Sequence, residues 1–181
     1  MTGWDDAGRR HGTDKSSSGH DYLRVYEGIF GARPVRSVLE IGVDEGRSLL
    51  TWADLWPGAD IWGVELRRDA PLLVLAGCTV LFGDATTAAT VGELPPLGWD
   101  VVVDDGSHQF DDQAASVALL APLLSEHGVY VIEDVPWDDD LPDAATVDRL
   151  LTVMAASGLR PLGVAWSALR QHAAVVAERR P

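Results

Sequence analysis

Short runs of apolar, often β-branched residues alternate with segments of helical spacing from residue 35 onward. This alternation most constrains the fold, because a helix between two strands returns the chain so that the strands can pair in parallel. The predicted strands are RSVLEIGV, DIWGVEL, TVLFGDA, WDVVVDD and GVYVIEDV. The pattern therefore predicts an α/β fold with a doubly wound, mostly parallel sheet that carries helices on both faces.

The spacing of apolar residues predicts helices at roughly 46–55, 69–76, 110–124 and 144–157. Two further strand-like runs, PLGVAWS and HAAVVAE, come near the end of the sequence. They follow each other too closely for a long crossover helix, so we expect one of them to run antiparallel to the other strands. The expected sheet has seven strands, and its last strands form an antiparallel edge.

The sequence divides into two parts. Residues 1–34 are polar at first and then show helical spacing in HDYLRVYEGIF, which predicts an N-terminal helical segment. Residues 35–181 contain all the predicted strands and are long enough for one α/β domain with a sizeable core.

The composition excludes several classes of protein. The 28 acidic and 14 basic residues leave a formal net charge of −14, whereas nucleic-acid binding needs a basic surface. The single cysteine excludes a disulfide framework and suits a reducing compartment. No apolar run approaches the roughly 20 residues that cross a bilayer, and the N-terminus does not resemble a signal peptide. We therefore expect a cytoplasmic protein without a nucleic-acid or membrane partner.

A glycine turn joins the first predicted strand of the α/β domain to its first helix. In VLEIGVDEGRS, residues 38–48, Gly42 and Gly46 let the backbone approach a ligand closely. A nicotinamide-binding turn would read G-x-G-x-x-G and hold a pyrophosphate at the helix N-terminus. Here Asp44 replaces the second glycine of that pattern and Glu45 follows it. Two acids at this position would repel a pyrophosphate, but they do not oppose a ligand that carries an amino group and a sulfonium.

Acidic side chains end successive strands at the edge where ligands bind in doubly wound sheets. Glu65 ends the second strand, where an acid commonly binds ribose hydroxyls, and Asp84 ends the third, where it can meet an adenine edge. With the glycine turn, these acids predict S-adenosylmethionine as the cofactor. The predicted cofactor-binding residues on the α/β domain are Glu40, Gly42, Gly46, Ser48, Glu65, Asp84 and Asp104.

The stretch VVVDDGSHQF, residues 101–110, leads from a buried strand directly into ionisable side chains. Asp104 and Asp105 end this strand, and Glu133 and Asp134 end the next one, which we expect to be its neighbour in the sheet. Carboxylates at such a short distance repel each other, so one of them would stay protonated unless a cation balances their charge. Mg²⁺ favours hard oxygen ligands and keeps coordination positions open for substrate or water.

The motifs resemble those of the class I methyltransferases, in particular the metal-dependent O-methyltransferases that modify macrolide deoxysugars, of the macrocin and mycinamicin type. The matching pieces are HGTDK at 11–15, LEIGV at 39–43, GDA at 83–85, DDGSH at 104–108 and IEDV at 132–135. The glycine turn is moderately specific, and DDGSH followed by a strand that ends in IED is considerably more so. The resemblance implies a Rossmann-like fold with S-adenosylmethionine as methyl donor.

The same resemblance implies that Asp105, Glu133 and Asp134 bind Mg²⁺ and that His108 is the general base. The expected acceptor is a small molecule with adjacent hydroxyls, namely a sugar-bearing or polyhydroxylated natural product of secondary metabolism. A Lewis-acid cation lowers the pKa of such a hydroxyl, and a positioned base then removes its proton.

The resemblance also makes the N-terminal segment an ordered lid over cofactor and metal, and it implies a homo-oligomer. Within HGTDKSSSGHDY, Thr13 and Lys15 join the expected cofactor-binding set, and Asp14 and His20 belong to the same lid. Members of the family carry an additional N-terminal domain, whereas here about 35 residues precede the first strand. What covers the substrate therefore stays open between this segment, the loop at 136–143 and a neighbouring subunit.

Three alternatives remain open from the sequence. The first is the Mg²⁺-dependent O-methyltransferase. The second is an enzyme of the same fold with other chemistry, such as a hydroxylase-associated relative or an N-methyltransferase that makes no use of the metal. The third is a non-catalytic cofactor-binding module, which would have no evident need for the acids Asp105, Glu133 and Asp134. Trp137 is the best aromatic candidate for contact with a sugar or ring face, since it follows the IED motif.

Overall fold

The computed structural model describes residues 3–135, 137–138, 141–142, 144–166 and 173–180. Seven strands form one sheet in the order β3-β2-β1-β4-β5-β9-β8, and β6 and β7 pair separately. The strands are β1 (Ser37–Ile41), β2 (Asp60–Glu65), β3 (Cys78–Phe82), β4 (Trp99–Asp104), β5 (Leu124–Ile132), β6 (Trp137–Asp138), β7 (Leu141–Pro142), β8 (Leu159–Trp166) and β9 (Ala173–Arg179). Strands β1 to β5 pair in parallel, whereas β9 is antiparallel to both β5 and β8. The predicted seven-stranded sheet with an antiparallel edge is confirmed.

Six α-helices are described: α1 (Gly3–His11), α2 (Tyr22–Phe30), α3 (Arg47–Leu55), α4 (Ala88–Val91), α5 (Phe110–Leu120) and α6 (Ala144–Ala156). The helices predicted near 46–55, 110–124 and 144–157 correspond to α3, α5 and α6. A 3-10 turn at Ala121–Leu123 joins α5 to β5. No described helix is long and apolar enough to span a membrane.

The helix predicted at 69–76 is wrong, because this segment is irregular. Pro71 has no N–H to donate. The N–H of Leu73 donates to the carbonyl of Glu45 at 2.9 Å, so this group bonds to the glycine turn rather than to a preceding turn of helix. Leu75 packs directly against Gly46, where a β-carbon would collide with its side chain. Contacts with a distant part of the chain thus override the local helical spacing.

The sheet is covered on both faces, so its central strands are continuous apolar runs. In β4, Val101 and Val103 pack into the core that contains α2 and α3, whereas Val102 packs into the opposite core against α5. All three valines are fully buried. The helical layers therefore leave the carboxyl ends of the parallel strands as the place where a ligand can reach the sheet.

The loops after β1, β4 and β5 begin at the same level of the sheet. Ile41 pairs with Asp104, and Asp104 pairs in turn with Ile132. The N–H of Asp105 donates to the carbonyl of Ile41 at 3.0 Å, and the N–H of Glu133 donates to that of Asp104 at 2.9 Å. This register brings the glycine turn, the DDGSH loop and the IED loop together at the switch point between β1 and β4.

Candidate active site

A cavity of about 510 Å³ lies over the carboxyl ends of the parallel strands. Its walls are residues 12–15, 41–45, 47–48, 64–67, 83–86 and 104–107, with Asp112 and Ser116 from α5. Among the predicted cofactor-binding residues, those that line the cavity are Thr13, Lys15, Gly42, Ser48, Glu65, Asp84 and Asp104. Glu40 and Gly46 are not in its walls. The volume suits a small-molecule ligand that reaches across several strand ends.

Both glycines of the turn occupy backbone conformations that other residues rarely adopt. Gly42 has φ 83° and Gly46 has φ 84°. A β-carbon on Gly42 would collide with the carbonyl oxygen of Asp105, so a side chain here would separate two of the loops that form the cavity. Gly46 instead allows Leu75 to pack behind the turn. The two glycines therefore shape the cavity through the backbone.

Glu65 and Glu40 stabilise the cavity wall from behind. Glu65 is buried, and its carboxylate accepts the N–H groups of Val43 and Asp44 at 3.0 Å each. Glu40 is fully buried and accepts the hydroxyl of Ser48 at 2.7 Å. Burial raises the pKa of Glu40, although the charge of Lys15 opposes the rise. The first acid thus fixes the glycine turn, and the second fixes the start of α3.

Asp84 and Asp104 are both in the cavity wall but in contrasting surroundings. Asp84 accepts the hydroxyl of Thr86 at 2.6 Å and its N–H at 2.9 Å, and these hydrogen bonds lower its pKa. Asp104 is 2% exposed, and burial raises its pKa to about 7 while a hydrogen bond from the Gly106 N–H opposes the rise. Asp84 is therefore the more accessible acceptor for a polar ligand group.

A buried lysine joins the carboxylates at the other side of the cavity. The ammonium of Lys15 bonds to Asp105, lies 2.5 Å from Glu133 Oε2 and lies 3.4 Å from Glu40 Oε1. Burial alone lowers the pKa of Lys15, but the three carboxylates outweigh burial and raise it well above the ordinary value. Lys15 is therefore a charged residue in a 1% exposed position. It ties the N-terminal segment to β1, β4 and β5.

Helix α2 contacts the two acids that follow β5. Tyr26 donates its hydroxyl to Glu133, and Tyr22 donates its hydroxyl to Asp134 Oδ1 at 2.8 Å. Asp134 Oδ2 also lies 3.5 Å from His20 Nδ1. Burial is the main cause that raises the pKa of both tyrosines, and the charge of Glu133 adds to it. Both hydroxyls therefore remain protonated donors.

Asp105, His108 and Asp134 form the group that could hold a metal ion. One ligand atom from each lies within 4.8 Å of the others. His108 and Asp134 have φ 58° and φ 45°, a left-handed conformation that is costly for these residues and tends to occur at functional sites. His108 Nδ1 is buried and has no hydrogen-bond partner among the described residues. The three side chains are therefore close enough together to share a divalent cation.

Three of the four residues predicted as metal ligands or base lie together in the structure, and the fourth, Glu133, is bonded to other side chains. Asp105 and Asp134 come together as expected, and His108 lies beside them. Glu133 follows β5 directly as expected, but its two carboxylate oxygens are bonded to Lys15 and Tyr26. The tyrosines were missed by the sequence reasoning, because their spacing in YLRVY was interpreted only as an apolar helix face. The i, i+4 repeat of a polar aromatic residue is the signal that could have found them.

Thr13 and Asp14 order the segment that leads to Lys15. The Thr13 hydroxyl accepts the N–H of Lys15 at 3.3 Å, and the Asp14 carbonyl accepts the N–H of His20 at 2.6 Å. The side chains of the loop at 136–143, that of Trp137 among them, are not described. The predicted contact of Trp137 with a sugar therefore stays a prediction.

Curated relatives of this chain are O-methyltransferases by name. It is 35% identical over 142 residues to 8-demethyl-8-(2-methoxy-alpha-L-rhamnosyl)-tetracenomycin-C 3'-O-methyltransferase of Streptomyces olivaceus. The match covers 70% of this chain and 35% of that enzyme. It is 33% identical over 107 residues to mycinamicin VI 2''-O-methyltransferase of Micromonospora griseorubida, and this match covers 54% of this chain and 27% of that enzyme. No protein-family model matches the chain. The chain is homologous to class I O-methyltransferases.

Solved structures of methyltransferases share the fold of this chain. MycE methyltransferase from the mycinamycin biosynthetic pathway, in complex with Mg and SAH, superposes with a TM-score of 0.73 at 23% identity. The match covers 98% of this chain and 55% of MycE. Aeropyrum pernix fibrillarin with bound S-adenosyl-L-methionine gives a TM-score of 0.65 at 21% identity, over 80% of this chain and 66% of that chain. This methyltransferase chain thus spans about a third of the curated relatives and about half of MycE.

Proposed function

We propose that this chain carries the catalytic site of a Mg²⁺-dependent O-methyltransferase. The reaction moves the methyl group of S-adenosylmethionine to a hydroxyl of a sugar-bearing or polyhydroxylated natural product. One observation carries the proposal: Asp105 both lines the large cavity and belongs to the group that could hold a metal ion. A methyl donor bound in the cavity and an acceptor hydroxyl bound at the cation would therefore lie next to each other, at Asp105.

The proposed cofactor site uses the walls of the cavity. The glycine turn at Gly42 brings the backbone close to the cofactor, and Glu65 holds that turn in place. Asp84, which follows β3, and Asp104, at the end of β4, line the same cavity, and we assign them to the polar groups of the cofactor. Thr13 lines the same cavity from the N-terminal segment.

The proposed metal ligands are Asp105, Glu133 and Asp134, with His108 as the base. When bound, Mg²⁺ would lower the pKa of the acceptor hydroxyl as a Lewis acid. His108 would take the hydroxyl proton, an effect typically worth about 10²–10⁴ in rate. The acceptor oxygen then attacks the methyl carbon, the bond from that carbon to sulfur breaks, and S-adenosylhomocysteine leaves. The buried, unpartnered Nδ1 of His108 supports a proton-accepting role.

The described geometry offers His108 as a rival to Glu133 for the third ligand position. Glu133 is engaged by Lys15 and Tyr26, whereas a His108 ring nitrogen lies within 4.8 Å of the Asp105 and Asp134 ligand atoms. A histidine that ligates the metal cannot also be the base. Pulsed EPR on bound Mn²⁺ separates the two roles, because a ligating histidine gives nitrogen coupling that His108→Gln removes. We expect no such coupling.

The first test of the function is calorimetric titration of Mg²⁺ into protein saturated with S-adenosylhomocysteine, with Asp105→Asn as the matched variant. Binding that requires Asp105 supports the proposal, and absence of cofactor binding contradicts it. Turnover is then measured with L-rhamnosyl acceptors, since the curated relatives are named for 2'- and 3'-O-methylation of such sugars. Methylation of a rhamnose hydroxyl is the expected result.

A metal-independent methyltransferase is the second candidate, and one observation favours it. The Lys15 ammonium already neutralises Asp105 and Glu133, as a divalent cation would. Full turnover in the presence of EDTA would identify this alternative, whereas the Mg²⁺-dependent enzyme loses its activity. The proposal also includes a homo-oligomer in the cytoplasm, which sedimentation and cell fractionation test.

A further inference from the structure

Helix α2 presents two tyrosine hydroxyls, one helical turn apart, to two consecutive acids. Tyr22 and Tyr26 are 0% and 1% exposed, and residues four apart lie on the same face of a helix. Their hydroxyls donate to Asp134 and Glu133, respectively. The two acids follow β5 directly. Each of the two hydroxyls on this face of α2 thus bonds to one of the two carboxylates that follow β5.

The hydroxyls are not explained by apolar packing alone. Phe30 continues the same face at the next i+4 position, and its ring centroid lies 5.8 Å from that of Tyr26. Phe30 is 2% exposed, so a ring without a hydroxyl packs equally well against this core. The polar group occurs at the two positions that face carboxylates.

Tyr22 also contacts the backbone that orients its partner. Its hydroxyl donates to the Asp134 carboxylate at 2.8 Å and accepts the Asp134 N–H at 3.3 Å. Successive side chains of an extended strand point to opposite faces. The left-handed backbone at Asp134, φ 45°, interrupts this alternation, and both acids face α2. Tyr22 thus holds Asp134 by its side chain and its main chain together.

We propose that Tyr22 and Tyr26 are positioning residues of the metal site, because they fix the two carboxylates at the end of β5 in the orientation that binds the cation. This inference rests on the proposed metal-dependent function. Groups that hydrogen-bond to metal ligands typically contribute 10–100-fold in metal affinity. Loss of either hydroxyl is therefore expected to weaken cation binding while the aromatic ring continues to fill the core.

The test is titration of Mn²⁺, read by the EPR signal of the free ion, into the full chain saturated with S-adenosylhomocysteine. The variants are Tyr22→Phe and Tyr26→Phe, with Tyr130→Phe as the matched control. Tyr130 is also fully buried, and it donates at 3.4 Å to Asp104, which is not one of the proposed metal ligands. We expect the dissociation constant to rise about 10-fold or more in each of the first two variants. It is expected to stay within about twofold in Tyr130→Phe.

Thermal unfolding in EDTA accompanies each titration, so that loss of metal affinity is compared only among folded proteins. If Tyr22→Phe does not fold, 4-fluorophenylalanine at position 22 keeps the size of the ring and removes the donor. Asp105→Asn is the reference for the site itself. If wild type binds no Mn²⁺, or binds it as well without Asp105, the proposed function fails.

If Asp105→Asn loses Mn²⁺ but both tyrosine variants bind like wild type, the metal site stands and the positioning role is overturned. If the dissociation constant for Mn²⁺ rises tenfold in Tyr22→Phe but not in Tyr26→Phe, the positioning role of Tyr26 is overturned. Equal weakening in Tyr130→Phe also overturns the inference, because loss of any buried hydroxyl would then have the same effect. Weakening in both α2 variants, with an unchanged control, supports it.

Discussion

Replacement of Lys15 by methionine tests whether the carboxylate cluster depends on its internal cation. Methionine keeps most of the length of the side chain and removes the ammonium, which contacts Asp105, Glu133 and Glu40. Removal of one partner of a buried ion pair typically costs about 3–5 kcal/mol, because the other charge stays buried without compensation. Glu133 and Glu40 are 1% and 0% exposed, so solvent screens them little.

We therefore expect Lys15→Met to lower the free energy of unfolding by about 3–5 kcal/mol. For a domain of 150–250 residues, each kcal/mol corresponds to roughly 2–4 °C in Tm, which gives a decrease of about 6–20 °C. The raised pKa of Lys15 determines the pH range. A group whose pKa is raised in the folded state stabilises the protein fully at any pH below its ordinary pKa, which is 10.5 for lysine. This stabilisation is lost as the pH rises through the pKa of the folded state. The full cost is therefore expected at pH 7.

The assay is thermal and urea unfolding at pH 7 in EDTA, with Arg36→Met as the control. Arg36 pairs with Asp100 at 3.6 Å, but its side chain is 85% exposed. Exposed pairs contribute about 0–1 kcal/mol, so the control should stay near wild type. A loss in Lys15→Met that is no larger than in the control would refute the reasoning.

Two further measurements identify the cause of the Lys15 effect. Glu133→Gln in the Lys15→Met background should restore part of the stability, because it removes one uncompensated charge. Mg²⁺ should raise the Tm of Lys15→Met more than that of wild type, because a ligand that binds only the folded state stabilises it. Equal Mg²⁺ effects in both proteins would mean that lysine and cation do not share the carboxylates.

Three other changes have outcomes that simpler measurements check. His108→Ala should keep the calorimetric affinity for S-adenosylhomocysteine and lower turnover about 10²–10⁴-fold, and unchanged turnover would remove His108 from the role of base. Gly42→Ala should abolish that affinity and cost at least about 1–2 kcal/mol, because alanine is strained at φ 83° and meets the Asp105 carbonyl. Burial raises the pKa of Glu178, but its two arginine partners lower it below 4.5 overall. Its stabilisation is therefore present at pH 7 and lost as pH falls through the folded pKa, so Glu178→Gln should cost about 1 kcal/mol at pH 7 in urea unfolding and less near pH 3.

The sheet could be predicted because its signal is local. Valines 101–103 form a continuous apolar run that is buried on both faces, and the short connection before β9 requires an antiparallel strand. The irregular segment at 69–76 could not be predicted in the same way. Its structure depends on the hydrogen bond from Leu73 to Glu45 and on the packing of Leu75 against Gly46, which no local periodicity contains.

The sequence by itself determined that acids would gather at the carboxyl ends of β4 and β5, since parallel strands end at one edge of a sheet. Only the tertiary structure decided what each acid contacts. Glu133 bonds to Lys15, 118 residues away, while Asp134 lies beside Asp105 and His108. The physical reason is that side-chain direction beyond a strand end depends on the backbone, here left-handed at Asp134, and on partners that only folding brings near.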